Sequence, residues 1–340
     1  MKTLLVKAPY RDLYGPIKLA AGNYFLLGLG YIAAYLRQFG HEVFMLDPEA
    51  EDLSYPECAS RIRRLAPDLI GISATTPDFS NALKIARLSR DNSSAFLVLG
   101  GIHGSCLPDF ILKKYPGVFD AICIGEGEET SAEICSFLQG KTASLREIDG
   151  LCFAENGQIV RTRQRRFISN LDRLPFPARD LVNIDRYKPH AFNTRKGRTA
   201  TIITSRGCPF RCTFCASKLT LGGVFRTRSA DNVLDEIKHL VSRYDVSHIL
   251  IQDDTFTFDM DRAKTICRKI IEANLKIEWF SFSQVTKVDE ELLSLMKKAG
   301  CYCIGFGIES ANEKILKCIR KPINAEISGR AIQNAKKHGL

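Results

Sequence analysis

The chain has 340 residues, 45% of them hydrophobic and 25% charged, an ordinary soluble composition with room for two domains that each bury a core. The longest apolar run, residues 24–36, has 13 residues and two glycines, too short to span a bilayer, and Lys7 and Arg11 break the N-terminal run before a signal-peptide core can form. The net charge of +10 is uneven, because residues 161–198 hold eleven Lys and Arg against three Asp. That stretch reads either as a surface for nucleic acid or another acidic partner or as a solvated linker, and the linker is the favoured reading. Without a secretory signal the twelve cysteines read as reduced thiols of a cytoplasmic protein.

From residue 4 to 139 short apolar runs alternate with amphipathic stretches, which predicts a parallel sheet covered on both faces. Strands are expected at residues 4–8, 42–46, 69–74, 96–99 and 121–124, wound right-handed in a flavodoxin-like (Rossmann-like) doubly wound order. Gly40 is placed to end the first helix, and Thr76-Pro77 to cap and start the third. Ligands of such sheets bind beyond the carboxyl ends of the strands. Those ends are small or polar: Tyr10, then Ser73 to Thr76 with Thr75 between, then Gly100 and Gly101 with His103, then Gly125, Glu126 and Gly127. Small residues admit a bulky ligand to the backbone, though glycines also serve plain tight turns. Residues 28–33 fit G-x-G-x-x-A, with Asp47 at a dinucleotide-fingerprint distance, but the string lies about twenty residues beyond the first strand and fails on context.

Residues 150–162 read apolar, Asn156-Gly157, apolar, which predicts a β-hairpin. The basic run 161–166 and the proline-containing residues 174–178 lack a helical period, so a boundary falls near 165–195. The expected division is a first domain over 1–140, a hairpin and basic linker over 141–198, and a second domain over 199–340.

Residues 204–217 read TSRGCPFRCTFCAS and set Cys208, Cys212 and Cys215 in a Cys-x3-Cys-x2-Cys array. Three thiolates so close in sequence can close on one metal centre with little loop entropy, and Gly207 and Pro209 shape the turn between them. Structural zinc wants a closed shell of four ligands, and the next histidine along the chain is His239. A 4Fe-4S cluster held by three thiolates instead leaves one iron open to coordinate something else, which is where chemistry happens.

After residue 199, strand and helix alternate four times. Strands are expected at 200–205, 248–252, 276–283 and 302–308, with helices near 230–243, 260–273, 288–299 and 312–318. This is a partial (β/α) barrel with its active face at the carboxyl ends of the strands. Period-two reading turns Ser281 and Ser283 inward and Phe280 and Phe282 outward. In the last strand it turns Cys301, Cys303, Gly305, Gly307 and Glu309 inward and packs Tyr302, Ile304, Phe306 and Ile308 beneath helices. An inward carboxylate is costly unless paired, so Glu309 is a site candidate, with Ser310 beside it. Asp253 and Asp254 end the second strand. Each of these polar residues could equally solvate a loop or cap a helix.

The cysteine array, with Phe214 just before its third cysteine, resembles the radical S-adenosylmethionine superfamily. The resemblance implies that the open iron chelates the methionine amino and carboxylate groups, and that the reduced cluster yields a 5'-deoxyadenosyl radical. Asp253 to Phe256 and Gly307 to Ser310 match stretches that contact S-adenosylmethionine there, which adds Phe214, Asp253, Asp254, Ser283, Glu309 and Ser310 as expected contacts. Residues 1–140, with Gly-Gly-Ile-His at 100–103 and Gly-Glu-Gly-Glu at 125–128, look like the cobalamin-binding domain of cobalamin-dependent radical enzymes. No Asp-x-His-x-x-Gly string is present, so the resemblance implies cobalamin without a protein histidine ligand. His103 follows two glycines and reads as a turn residue. The activity implied is methyl transfer to an unactivated carbon. Radical ring closure and RNA modification are the alternatives within that chemistry, and a non-catalytic cofactor-binding protein is the alternative outside it. The partners implied are an electron donor such as flavodoxin or ferredoxin and a small-molecule or lipid-like substrate, with no nucleic acid and no membrane span. Barrels of this superfamily continue with a fifth and sixth strand. Four are present here, so truncation after the fourth and a C-terminal continuation are expected.

Overall fold

The computed structural model describes residues 1–17, 21–190 and 196–340, so residues 191–195 of the basic segment lie outside the described residues. It forms two compact units, one of Met1–Ile168 with Leu174–Asn193, the other of Ser169–Arg173 with Thr194–Leu340. Among the described residues no helix is long and apolar enough to cross a membrane.

In the first unit, β1 (Lys2–Lys7), β2 (Glu42–Leu46), β3 (Leu69–Ser73), β4 (Phe96–Gly100) and β5 (Ala121–Cys123) run parallel in the order β2-β1-β3-β4-β5. Alternating apolar residues make the sheet two-sided. Leu4, Val6, Leu97, Leu99 and Ile122 face one core, with Ile62 of α2 (Tyr55–Leu65) and Ile85 of α3 (Phe79–Asn92). Leu5, Val98, Ala121 and Cys123 face the other, with Leu36 of α1 (Leu27–Gln38) and Ile134 of α6 (Glu128–Leu138). Between β4 and β5 lie two short helices, α4 (Gly101–Cys106) and α5 (Pro108–Lys114).

The expected hairpin forms as β6 (Leu151–Glu155) and β7 (Gln158–Arg161), and it pairs antiparallel onto β5, extending the sheet to seven strands. The third helix begins at Phe79 rather than at Thr76-Pro77, because the Asp78 carboxylate takes both the Thr75 N–H (2.6 Å) and the Thr75 hydroxyl (2.8 Å) and closes a turn ahead of the helix. Arginines of the basic segment are neutralised within this unit: Arg161 pairs with Asp109, Arg163 with Asp149, and Arg165 with Glu129 and Glu133.

In the second unit, β8 (Arg198–Ile202), β11 (Val246–Ile251), β12 (Glu278–Ser283) and β13 (Cys301–Phe306) form a parallel sheet in chain order. Helices α8 (Ala230–Tyr244), α9 (Met260–Glu272), α10 (Glu290–Lys298) and α11 (Glu313–Cys318) alternate with these strands, as in a partial β/α barrel. A further helix, α12 (Ala325–Lys337), was not expected. Its buried face is made of Ser328, Ala331 and Ala335, too small to show as an apolar stripe. The first expected strand divides. Past β8, a separate β9 (Ser205–Arg206) pairs antiparallel with β10 (Arg226–Thr227), and α7 (Ser217–Thr220) lies in the connection.

The faces of β12 are the reverse of expectation. Phe280 and Phe282 pair in register with Cys303 and Gly305, while Ser281 and Ser283 pair with Ile304 and Phe306. Phe306 and Ile308 pack against Leu316 of α11 and Ala331 of α12, and the Trp279 indole donates to the Ala299 carbonyl (2.8 Å) at the end of α10. The serines therefore share the helix-covered side, and the Phe280 and Phe282 rings fill the space above Gly305. The β12–β13 register is also irregular, with an extra residue in β13 at Tyr302. It separates Cys301 from Cys303 and lets the Tyr302 hydroxyl reach His248 Nε2 (3.0 Å) instead of lying beneath a helix.

Candidate functional site

The cysteine loop leaves β9 through Gly207, whose φ of +87° belongs to glycine and where a Cβ would collide with the Val224 carbonyl. Backbone bonds then fix the loop: Cys208 N–H to Gly222 O (3.2 Å), Thr213 N–H to Ile319 O (3.0 Å) and Cys215 N–H to Cys212 O (3.3 Å). All three cysteines line one concavity of about 510 Å³, together with Phe210, Arg211, Thr213, Ser217, Lys218 and Arg320. Among the described residues no three His, Cys, Asp or Glu side chains gather as a shell for a single metal ion. Three thiols spread along the wall of one cavity suit a cubane cluster, which needs its ligands at separate corners. Burial pushes the Cys208 and Cys212 thiols up, and the Lys321 charge pulls Cys212 back down. A bound iron cluster would supply the far larger positive charge that turns such thiols into thiolates.

The residues expected around the cluster divide into three groups. Asp253 is 1% exposed and accepts from Thr204 N–H (2.6 Å), the Thr204 hydroxyl (2.5 Å) and the Ser205 hydroxyl (2.6 Å), so it anchors the approach to the cysteine loop. Asp254 accepts from Ser217, which lines the cavity, and burial holds its carboxyl above the usual range. Ser283 is buried on the helix-covered side, and among the described residues its hydroxyl has no hydrogen-bond partner. Phe214 is 54% exposed beside the cavity. Glu309 has φ +66°, in the left-handed region, and pairs with Lys321 at 3.2 Å. Ser310 accepts from the Asn312 N–H (3.0 Å) ahead of α11. Sequence reasoning missed Arg211, Lys218, Arg320 and Lys321. Arg211 and Lys218 belong to the array's own loop and carry no ligand spacing of their own, and nothing local marks Arg320 and Lys321 as residues that fold back onto it.

In the first unit, the carboxyl ends of β1 and β3 open into a cavity of about 450 Å³ lined by Lys7, Tyr10, Tyr14, Tyr24, Ser73, Thr75 and Asp78, among others. It brings together Tyr10, Ser73 and Thr75 of the expected contacts. Beneath it, Lys7 pairs with Asp47 (3.2 Å) and donates to the Tyr24 carbonyl (3.0 Å) and to Asn23. Glu49 takes the Tyr10 and Arg11 N–H groups (3.4 and 2.6 Å). Among the described residues Asn23 Nδ2 and Glu49 Oε2 are buried without partners behind this lining, and the cavity's volume admits an edge or tail of a corrinoid rather than the whole.

The other expected contacts are not among the residues lining this cavity. Gly100 accepts from Ala74 N–H (3.1 Å), Gly101 starts α4 at φ +86°, and Gly125 N–H donates to Ser105 (3.0 Å). Gly127 leaves room for Ile32, and Glu126 accepts from Ile168 N–H (2.9 Å). His103 is not in a turn. It sits in α4, buried against Phe79 with ring centres 4.2 Å apart, and Nδ1 is 3.1 Å from the Thr76 hydroxyl. Burial lowers its pKa, so the ring is neutral and committed to packing.

A doubly wound sheet with a cavity at its strand ends, followed by a three-cysteine loop on a partial β/α barrel, is the arrangement that the resemblance to cobalamin-dependent radical enzymes leads one to expect. Comparison with known proteins agrees. Residues 18–135 match the B12 binding domain and residues 202–340 the Radical SAM superfamily. The chain is 36% identical, over its full length, to an uncharacterized methyltransferase of Pyrococcus horikoshii, of which it spans 72%. It is 32% identical over 94% of its length to the anaerobic magnesium-protoporphyrin IX monomethyl ester cyclase of Rubrivivax gelatinosus, of which it spans 58%. Its fold matches, at TM-score 0.80 and 19% identity, the radical S-adenosylmethionine methyltransferase TsrM from Kitasatospora setae, solved with cobalamin and a [4Fe-4S] cluster bound. That match covers 100% of this chain and 65% of TsrM. The chain belongs to the family of radical S-adenosylmethionine enzymes with a B12-binding domain.

Proposed function

We propose that this chain is the cofactor-binding part of a cobalamin-dependent radical S-adenosylmethionine methyltransferase acting on an unactivated carbon of a small-molecule or lipid-like substrate. The observation that carries the reading is the cavity lined by all three cysteines of the array, in a chain related over its full length to a methyltransferase. Bound at these sites, the cluster supplies the electron that opens S-adenosylmethionine and cobalamin carries the methyl group. The chain's own residues do the holding: Cys208, Cys212 and Cys215 ligate, Asp253 fixes the loop, and Tyr10, Ser73 and Thr75 seat the corrinoid. Arg211, Lys218 and Arg320 at the mouth suit an acidic one-electron donor such as flavodoxin or ferredoxin.

The likeness to a cyclase favours ring closure as the second reading. Anaerobic reconstitution with iron, sulfide and hydroxocobalamin, then S-adenosylmethionine and a reductant, separates the two. Methyl transfer yields S-adenosylhomocysteine and 5'-deoxyadenosine together. A protein that forms 5'-deoxyadenosine with no S-adenosylhomocysteine, in the presence of its substrate, is not a methyltransferase.

A further inference from the structure

A single guanidinium holds both ends of the cysteine loop. The chain leaves the second sheet at Thr204 and comes back through β10 to Arg228, so Cys208, Cys212 and Cys215 all hang between these two residues. The Arg228 N–H donates to the Thr204 carbonyl (3.0 Å). From α9, Arg262 Nη2 donates to the same Thr204 carbonyl (2.7 Å), and Arg262 Nε donates to the Arg228 carbonyl (2.7 Å). Asp253, by contrast, acts on the entry alone, through Thr204 and Ser205. The Arg228 guanidinium donates to the Ile203 carbonyl (3.0 Å) and is neutralised by the fully buried Glu236.

Arg262 forms no ion pair among the described residues, and its Nη1 is buried there without a partner. A buried cation with two carbonyls for partners and one donor empty is a poor way to stabilise a helix. Lys264, on the same helix, shows the ordinary alternative, since Asp289 and Glu291 take up its charge. What the guanidinium does offer is geometry: its N–H groups point in fixed directions in one plane, so the two carbonyls it bridges keep a fixed separation. We propose that Arg262 is the clasp of the cysteine loop, a positioning residue whose planar fork sets the distance between the loop's entry at Thr204 and its exit at Arg228. Residues 205–227 then close on a root of constant width, and the entropy of bringing the three thiols together falls on a shorter, tethered chain. This role rests on the cluster reading of the array and adds to it a residue remote in sequence.

The test is a chelator challenge of the anaerobically reconstituted full chain, with iron loss to bathophenanthroline followed in time and with the urea midpoint and the visible circular dichroism of the cluster measured for every variant. Arg262→Lys keeps the charge but cannot present two N–H groups in a fixed fork. It should release iron roughly tenfold faster than wild type, as for one lost hydrogen bond from a charged group, and should change the circular dichroism at equal iron content. Arg262→Gln should release iron at least as fast, and if that variant does not fold, Arg262→Lys decides alone. Lys264→Met should lower the urea midpoint yet keep the wild-type release rate and spectrum. Wild-type release and spectrum in Arg262→Lys overturn the clasp, because charge alone then suffices. So does Lys264→Met releasing iron as fast as Arg262→Lys at a matching urea midpoint, which would leave Arg262 a role in general stability only. Either result leaves the cluster reading intact, whereas a folded wild type that takes up no iron overturns both.

Discussion

The strand ends of the two units handle polar groups in opposite ways. In the first unit nearly every polar side chain near the cavity is bonded to protein: Asp78 to Thr75, Lys7 to Asp47, and Tyr10 to the Gly22 carbonyl. In the second, Arg211, Lys218 and Arg320 make no ion pair among the described residues, and the three thiols face open space. Under the proposed function the first would be a seat finished before its ligand arrives, recognising a large neutral-fringed molecule mainly by shape. The second keeps charge and thiols uncommitted, as the proposed cluster site requires.

Removing the uncommitted sulfur breaks the comparison most completely. Cys208→Ala, Cys212→Ala or Cys215→Ala should lower bound iron from about four per chain to near none, by iron and sulfide assay, whereas the buried Cys58→Ala and Cys135→Ala should retain it. Zinc surviving at one per chain, with no iron uptake, would sink the cluster assignment.

Cutting the committed groups is expected to cost stability first. Lys7→Met leaves the buried Asp47 carboxylate without its cation and should destabilise by about 3–5 kcal/mol in urea titration. Asp253→Ala strands the Thr204 N–H and two hydroxyls, for about 2–4 kcal/mol. Because Asp253 belongs to the loop anchor, its loss should also weaken iron retention, which Lys7→Met should leave unchanged. Equal iron loss in both would erase the distinction between the two ends.

Gly207→Ala and Gly101→Ala ask which backbone is harder to move. Both residues have φ near +87°, and each alanine would add about 1–2 kcal/mol of left-handed strain plus a collision with a carbonyl. The prediction is lower iron content for Gly207→Ala and weaker hydroxocobalamin retention on gel filtration for Gly101→Ala.

The smallest effect sharpens the picture of the first cavity. Burial holds the Glu49 carboxyl above its usual range, against the pull of its bonds from Arg11 and Tyr10. With the folded-state value above the unfolded one, ionisation costs the folded state, and the cost grows as pH rises through that raised value. Relative to Glu49→Gln, wild type should therefore lose stability as pH rises from the ordinary carboxylate range through the raised value. Urea midpoints that stay parallel across that range would show Glu49 to be better solvated than its surroundings imply.

What could be read from the sequence follows the physics of each signal. The first sheet was legible because each strand alternates between two apolar cores, as in Leu4-Leu5-Val6 and Leu97-Val98-Leu99. The cysteine array was legible because its spacing is a local feature of the sequence. The faces of β12 were not, since its alternation of Phe and Ser fits either side of the sheet, and the irregular step at Tyr302 that turns Cys301 away from Cys303 leaves composition untouched. Nor was Lys321, whose meaning depends on the turn after α11 returning to Thr213. Asp253 was noticed for the wrong reason: a carboxylate at a strand end can face a ligand or, as here, tie down the neighbouring loop.

The brief excursion of Ser169–Arg173 into the second unit bears on how the protein is made. After it, the chain returns to finish the first unit. Ala178 N–H bonds Gly30 O (3.0 Å), the Lys188 carbonyl receives Asn23 N–H (2.7 Å), and the Tyr187 ring meets Phe25 edge-on at 5.9 Å. On a translating ribosome the seven-stranded sheet can therefore assemble early but cannot be sealed until residue 188 has emerged. Until then Phe25 and the backbone of α1 stand uncovered. A nascent chain paused after the β6–β7 hairpin should be the species most exposed to chaperones and proteases.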